Sequence, residues 1–297
     1  MAANIIDGKK VASIIREQVK QDVRDWTNLG NRPPKLQAIV LGNDPASHSY
    51  VGAKMRACEE VGIASDTLKL SDTISAQQLE DEIRYFNEDE NTDGILVQLP
   101  LPSHLQALTV IESIDYRKDV DGFHPMNVGR LAIGQPNFKS CTPAGVLELF
   151  KYYSIQTKGK HVVIVGGSNI VGSPLAVMLS REKGDTGKAT VTKCHKFTKD
   201  LTKHTIDADI LVIAAGSPGL ITGPMIKEGV VVIDVGINRI ADPNSEKGYK
   251  LVGDADFKSV SERASWITPV PGGVGPMTVA MLMKNTLLAA KKSIYPR

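Results

Sequence analysis

The sequence predicts an α/β protein of two domains built on parallel sheets, and three observations carry that prediction. Lys160–Leu179 reads as strand, tight loop and helix: the β-branched run Val162–Val165 breaks at Gly166 and Gly167, after which Ile170, Leu175, Met178 and Leu179 recur at helical spacing. Three further β-rich runs follow, Ala189–Thr192, Asp209–Ala214 and Val230–Val235, separated by helix-length segments and each ending in a polar or glycine-containing loop. The first half of the chain shows the same alternation, and 297 residues are enough for about two domains. The expected architecture is a βαβ-type N-terminal domain and a Rossmann-like parallel-sheet domain, with the active-site cleft between them.

Taken in order, Gly8 to about Trp26 places Val11, Ile14, Ile15, Val19 and Val23 among charges, an amphipathic helix. Leu36–Leu41 is strand-like and ends at the turn signal Gly42-Asn43-Asp44-Pro45. Ser47 opens a second helix to about Val61. Leu68 and Leu70 end a short strand, Ser75-Ala76-Gln77-Gln78 is a capping box for a helix through Phe86, and Gly94–Leu99 is a third strand. Pro100 and Pro102 turn the chain into a helix reaching about Ile114, and an Asp- and Gly-rich stretch runs from Lys118 to Gly129. Pro143 reads as a first-turn proline with Thr142 as cap, in a helix joining the domains. Asn238–Leu251 is a polar excursion, and Met277–Lys292 is a last helix with lysines at its C-terminal end.

Composition narrows the function classes. With 42% hydrophobic and 23% charged residues the chain is an ordinary globular protein, and no apolar run reaches membrane-spanning length. Lys+Arg 35 against Asp+Glu 33 leaves +2, which argues for neither nucleic acid nor an anionic membrane as partner. Cys58, Cys141 and Cys194 are widely spaced without a Cys-x-x-Cys, and no signal-peptide core opens the chain, so a cytoplasmic location is expected.

Within the predicted parallel sheet the loops beginning at Gly166, Cys194, Ala215 and Gly236 should converge beyond the strands' carboxyl ends. Gly166, Gly167 and Ser168 let a phosphate approach the backbone at a helix N-terminus, although Gly166-x-Ser168-x-x-x-Gly172 departs from Gly-x-Gly-x-x-Gly. After the second strand of this domain stand Cys194, His195 and Lys196 where an NAD-selective site carries an acid, which favours NADP with Lys196 on the 2′-phosphate. Lys196 fits a solvated surface lysine equally well.

In the first half, Tyr50 and Lys54 share a helix face. A ring beside a lysine can stack on a planar substrate while the amine moves protons, provided burial lowers its pKa. Gln98 sits at a strand's carboxyl end, where it needs a hydrogen-bond partner such as a lysine amine. Asp121 is either an Asp-Gly turn residue or a carboxylate that grips a heterocycle's paired N–H donors. The six histidines have no metal-ligand spacing and no nucleophile motif appears, so neither a metal nor covalent catalysis is expected.

Six stretches in order resemble the bifunctional methylenetetrahydrofolate dehydrogenase/methenyltetrahydrofolate cyclohydrolases: Tyr50-Val-Gly-Ala-Lys54, Val97-Gln-Leu-Pro-Leu-Pro102, Lys118-Asp-Val-Asp-Gly122 with Asn127 and Gly129, Cys141-Thr-Pro143, Val165–Gly172, and Thr268-Pro-Val-Pro-Gly-Gly-Val-Gly-Pro-Met-Thr278. The resemblance implies a folate-binding catalytic domain over residues 1–142 plus the returning helix 276–297, and an NADP-binding domain over 143–275. It implies Lys54 as catalytic lysine, Tyr50 as the ring stacking on folate, Gln98 as the residue that positions the lysine, and Asp121 as the pterin anchor. Gly166, Gly167, Ser168 and Ile237 match cofactor-binding positions. It further implies a homodimer through the cofactor domain and a place in one-carbon metabolism supplying purine biosynthesis. Many members carry arginine where this chain has Gly167, and serine or arginine where it has Lys196. Three alternatives stay open from the residues: a dehydrogenase without cyclohydrolase activity, a dehydrogenase of another planar substrate, and a non-catalytic dinucleotide-binding protein.

Overall fold

The computed structural model describes residues 3–181, 187–245 and 248–296. The chain divides into two compact units, residues 13–141 with those from 279 onward, and those up to 12 with 142–278. In chain order it begins with β1 (Asn4–Ile5), α1 (Gly8–Asn28), β2 (Lys35–Leu41), α2 (Pro45–Val61), β3 (Ala64–Leu70), α3 (Ala76–Glu88), β4 (Gly94–Val97), α4 (Ala107–Ser113) and α5 (Pro125–Ile133). There follow α6 (Cys141–Tyr152), β5 (His161–Val165), α7 (Gly172–Ser180), β6 (Thr190–Cys194), α8 (Leu201–Thr205), β7 (Ile210–Ile213), β8 (Val231–Asp234), β9 (Asn238–Ala241), β10 (Tyr249–Val252), α9 (Phe257–Ser261), β11 (Trp266–Ile267) and α10 (Val274–Ala290).

The first unit is built on a parallel three-stranded sheet in the order β3-β2-β4. Central β2 is an almost unbroken buried run, as a strand covered on both faces must be, and edge strand β3 is only partly buried. Ile39 and Leu41 of β2 and Ile95 and Val97 of β4 pack with Leu79 and Ile83 of α3 and with Leu105, Val110 and Ile114. Local chemistry sets the helix ends. Ser75 and Gln78 close the expected capping box on α3. Helix α2 opens at Pro45, two residues before the predicted Ser47, because the Asp44 carboxylate caps it by accepting the Ser47 amide at 2.8 Å. Helix α5 begins inside the stretch read as Asp- and Gly-rich and runs past its end; Pro125 starts it, and the cap is the His124 ring, whose Nδ1 accepts the Met126 amide at 3.0 Å.

The second unit carries a six-stranded parallel sheet in the order β1-β11-β8-β7-β5-β6. Expected strands β5 to β8 make up four of its six strands, with β6 at one edge, and within the expected excursion Asn238–Ala241 and Tyr249–Val252 pair antiparallel as β9 and β10. Strand β1 corrects the assignment of residues 1–142 to one domain. Asn4 and Ile5 pair with Trp266 and Ile267, and Ile6 is fully buried. A Cβ on Gly8 would lie 1.7 Å from the Gly273 carbonyl oxygen, so the opening of α1 packs backbone to backbone against the Thr268–Thr278 segment. A two-residue strand has no periodicity for a sequence to display. Thr142 is a second correction. It lies inside α6, not at its cap, and its hydroxyl pairs with that of Thr278 at 2.8 Å.

Candidate active site

In the first unit the polar cluster forms at the carboxyl end of the sheet. The Gln98 amide continues the ladder beyond β4 by donating to the Ile39 carbonyl at 2.9 Å. Its side-chain Nε2 donates to the Leu99 carbonyl, which turns Oε1 toward α2, and there Lys54 Nζ donates to Oε1 at 3.0 Å. Lys54 is half-buried, and Tyr50, one turn earlier on α2, is 45% exposed. Beside β4 runs the segment Lys118–Val120, held by the Ile95 amide donating to the Lys118 carbonyl at 2.8 Å and by the parallel bridge Ile95–Asp119. Asp121 follows at once. Its carboxyl is pushed up to about 6 by loss of hydration, with Lys54 opposing and Asp119 adding to the shift. The structure therefore brings Lys54, Gln98 and Asp121 into one electrostatic neighbourhood, with Tyr50 on the same helix face as Lys54.

In the second unit the loops after β5, β6, β7 and β8 share one sheet edge because all four strands are parallel neighbours. Gly166 has φ +151°, and a Cβ there would sit 2.3 Å from the Ala214 carbonyl oxygen. On Gly172 a Cβ would sit 1.9 Å from the Gly166 carbonyl oxygen. The floor of this loop is bare backbone, the surface a phosphate needs. Gly167 is less constrained, its Cβ meeting only the His195 Cβ at 3.3 Å. Ser168 Oγ accepts the Val171 amide at 3.1 Å and shapes the entry to α7, whose first turn holds no acid. Lys196 is exposed, its ammonium 5.0 Å from the Phe197 ring centroid, and Ile237 is 39% exposed just before β9. These residues fit a dinucleotide: a backbone cradle for the pyrophosphate, an accessible cation, and an apolar wall.

Several organising residues escaped sequence reasoning. Asp254 accepts the Ala215, Gly216 and Ser217 amides at 2.7, 2.9 and 2.8 Å and the Asn238 amide side chain at 2.8 Å, so one buried carboxylate ties two of the four loops together. Asp234 accepts the Gly236, Asp254 and Ala255 amides, and burial pushes its carboxyl up to about 6. An acid inside the apolar run Val230–Val235 was the available signal. In the first unit Asp119, Asn127 and Asn285 are buried polar residues around the Asp121 turn, and only their hydrogen bonds disclose them. Among the described residues no cluster of three or more His, Cys, Asp or Glu side chains is placed to hold a metal, and no helix is long and apolar enough to cross a membrane. Cys58, Cys141 and Cys194 are free and buried.

A small parallel sheet bearing a lysine–glutamine pair, together with a larger parallel sheet ending in a glycine-floored loop, defines a two-unit α/β protein of the dinucleotide-binding class. The sequence model of the tetrahydrofolate dehydrogenase/cyclohydrolase catalytic domain matches residues 6–121, and that of the family's NAD(P)-binding domain matches residues 140–294. A relative from Bacteroides fragilis, the bifunctional protein FolD, is 49% identical over 291 residues, 98% of this chain and 99% of that protein. The crystal structure of the bifunctional enzyme FolD-methylenetetrahydrofolate dehydrogenase/cyclohydrolase from Campylobacter jejuni is 47% identical with a TM-score of 0.91, covering 98% of this chain and all of the other. That of the Trypanosoma brucei methylenetetrahydrofolate dehydrogenase-cyclohydrolase, complexed with NADP cofactor and inhibitor, is 38% identical with a TM-score of 0.93 and covers both chains fully. The chain belongs to the tetrahydrofolate dehydrogenase/cyclohydrolase family.

Proposed function

We propose that the protein oxidises 5,10-methylenetetrahydrofolate to the 5,10-methenyl cation with NADP and hydrolyses that cation to 10-formyltetrahydrofolate, as a step of one-carbon metabolism. The observation that carries this reading is the 3.0 Å bond between Lys54 and Gln98 at the carboxyl end of β4, beside Asp121, in a chain of this family. Bound NADP would supply the acceptor for the hydride that leaves the carbon bridging N5 and N10. This step needs orientation and no proton transfer, which is the task of Tyr50 stacking on the substrate and of the Asp121 carboxylate accepting N–H donors of the pterin.

Hydrolysis is where Lys54 acts. Water adds to the bridging carbon and releases one proton; the second proton leaves the new hydroxyl and reaches N5 as the C–N5 bond opens. Lys54 Nζ moves these protons, and Gln98, with its amide orientation set by the Leu99 carbonyl, fixes where Nζ sits at the carboxyl end of β4. In the cofactor unit Gly166, Gly167 and Ser168 would hold the pyrophosphate, Lys196 would pair with the 2′-phosphate, and Ile237 would supply apolar contact. Lysine is a point charge without the fork of arginine, so the preference for NADP over NAD rests on a modest contact. The protein works in the cytoplasm, where its three free thiols stay reduced, and it forms a homodimer through the cofactor unit. Initial rates of methenyltetrahydrofolate formation, followed by absorbance with NADP and NAD in parallel, test the reading. A faster rate with NADP supports it, preference for NAD removes Lys196 from the site, and no rate with either defeats it.

A further inference from the structure

The turn that presents Asp121 is held from three directions. Asn285 of α10 donates to the Val120 and Lys139 carbonyls at 2.8 and 3.0 Å, and Ser140 Oγ donates to the Gly122 carbonyl at 3.1 Å. The third anchor is a chain of side chains. Asp119, buried and flanking Asp121, accepts the Gly122 amide at 3.1 Å, the His124 amide at 2.8 Å and Asn127 Nδ2 at 2.8 Å. Asn127 is fully buried and spends its whole capacity: Nδ2 donates to Asp119 and to the Tyr116 carbonyl, and Oδ1 accepts the Phe138 amide at 3.0 Å and the Tyr295 hydroxyl at 2.6 Å. Tyr295 lies 168 residues away, in the tail after α10. Its ring meets those of Tyr116 and Phe138 edge-on, with centroids 4.9 and 5.8 Å away, while the Arg130 guanidinium lies 5.0 Å from its centroid.

We propose that Tyr295 is a positioning residue for the folate substrate: its hydroxyl orients Asn127, Asn127 orients the Asp119 carboxylate, and Asp119 fixes the turn from which Asp121 reaches the pterin. The inference rests on the reading of Asp121 as the pterin anchor. Asn127 Oδ1 keeps the Phe138 amide when the Tyr295 hydroxyl is lost, and the two other anchors still hold the turn's carbonyls. The fold therefore survives that loss, while the carboxylate side of the turn loosens.

The test is steady-state dehydrogenase kinetics on Tyr295→Phe, Tyr295→Leu, Asp121→Asn and the Tyr295→Phe/Asp121→Asn double variant, with thermal melting of each. Tyr295→Phe keeps the ring and removes the hydroxyl. It is expected to raise KM for methylenetetrahydrofolate about threefold or more, with kcat changed less than about twofold and KM for NADP unmoved. Tyr295→Leu should raise that KM by a similar factor although it alone melts much lower. In the Asp121→Asn background, Tyr295→Phe should add less than about 1.5-fold, because it acts through the missing carboxylate. KM that tracks the loss of melting temperature, or factors that multiply in the double variant, would overturn the proposal. An unchanged KM in Tyr295→Phe beside a raised KM in Asp121→Asn overturns the proposal alone. An unchanged KM in Asp121→Asn overturns the pterin-anchor reading and the proposal with it.

Discussion

Replacing Gly166 by alanine should separate the two activities. The added methyl would stand 2.3 Å from the Ala214 carbonyl oxygen and 2.9 Å from its carbon, roughly 1 Å inside ordinary contact, and both atoms belong to backbone at the end of β7. The glycine's φ of +151° adds a conformational cost of about 1–3 kcal/mol for any residue with a Cβ. Overpacking between two strand ends costs about 1–3 kcal/mol more, so the loop is asked to absorb about 2–6 kcal/mol, a large part of a stability of about 5–15 kcal/mol. The cheapest relief is for the loop to move away from β7, which would displace the backbone proposed to face the pyrophosphate. A misplacement of about 1 Å can cost about 100-fold in rate, so KM for NADP should rise at least about tenfold. Cyclohydrolase requires no hydride transfer and should stay within about threefold of the parent. Gly167→Ala serves as the control, since its methyl meets only the His195 Cβ at 3.3 Å and should change KM far less. The assay is KM for NADP by initial rates, hydrolysis of methenyltetrahydrofolate by absorbance, and melting temperature on the same preparations. If Gly166→Ala leaves both KM for NADP and the melting temperature where they were, the steric account of this loop is wrong.

Three other outcomes follow from the site. Lys54→Met should abolish cyclohydrolase while NADP still binds, and undiminished hydrolysis would remove Lys54 from proton transfer. Lys196→Ala should raise KM for NADP about two- to fivefold, the range for an exposed ion contact of up to about 1 kcal/mol, without changing KM for NAD; an unaltered NADP/NAD ratio would assign the 2′-phosphate to another group. Because the Asp121 carboxyl titrates at about 6, it is ionised above that pH and protonated below it. KM for methylenetetrahydrofolate should therefore rise as pH falls through about 6, and this rise should be missing in Asp121→Asn; an identical pH profile in the variant would show that another group is titrating.

The core of the fold was legible because apolar periodicity reports it directly. Strands β2, β5, β7 and β8 are short buried runs with glycine or polar residues at their ends, and the Ser75–Gln78 cap behaves as written in the sequence. Pieces that depend on partners far along the chain were not legible. Strand β1 exists because Asn4 and Ile5 find β11 some 260 residues later, and Thr142 forgoes its cap for a hydroxyl partner at Thr278. Helix α5 hid because a histidine caps it, outside the usual set of serine, threonine, aspartate and asparagine.

The site divides along the same physical line. Glycines and strand-end residues carry their own signal, since a backbone that must approach another backbone to within a missing Cβ admits one residue type, and Gln98 announces itself as an amide where an apolar strand stops. Lys54 and Tyr50 carried little signal alone, because a lysine or tyrosine on a helix face is ordinary until Gln98 lies 3.0 Å from the ammonium. Least legible were Asp254, which gathers three amides of one loop and a side chain of the next, and Asn127, which connects segments from Tyr116 to Tyr295. A buried carboxylate or amide is stable only when its hydrogen-bond capacity is filled, and the donors that fill it come from loops whose proximity the fold creates. Such residues are invisible to periodicity. Yet they set the position of the groups proposed to meet substrate, which is why the tail residue Tyr295 is expected to appear in KM for a substrate it is not proposed to touch.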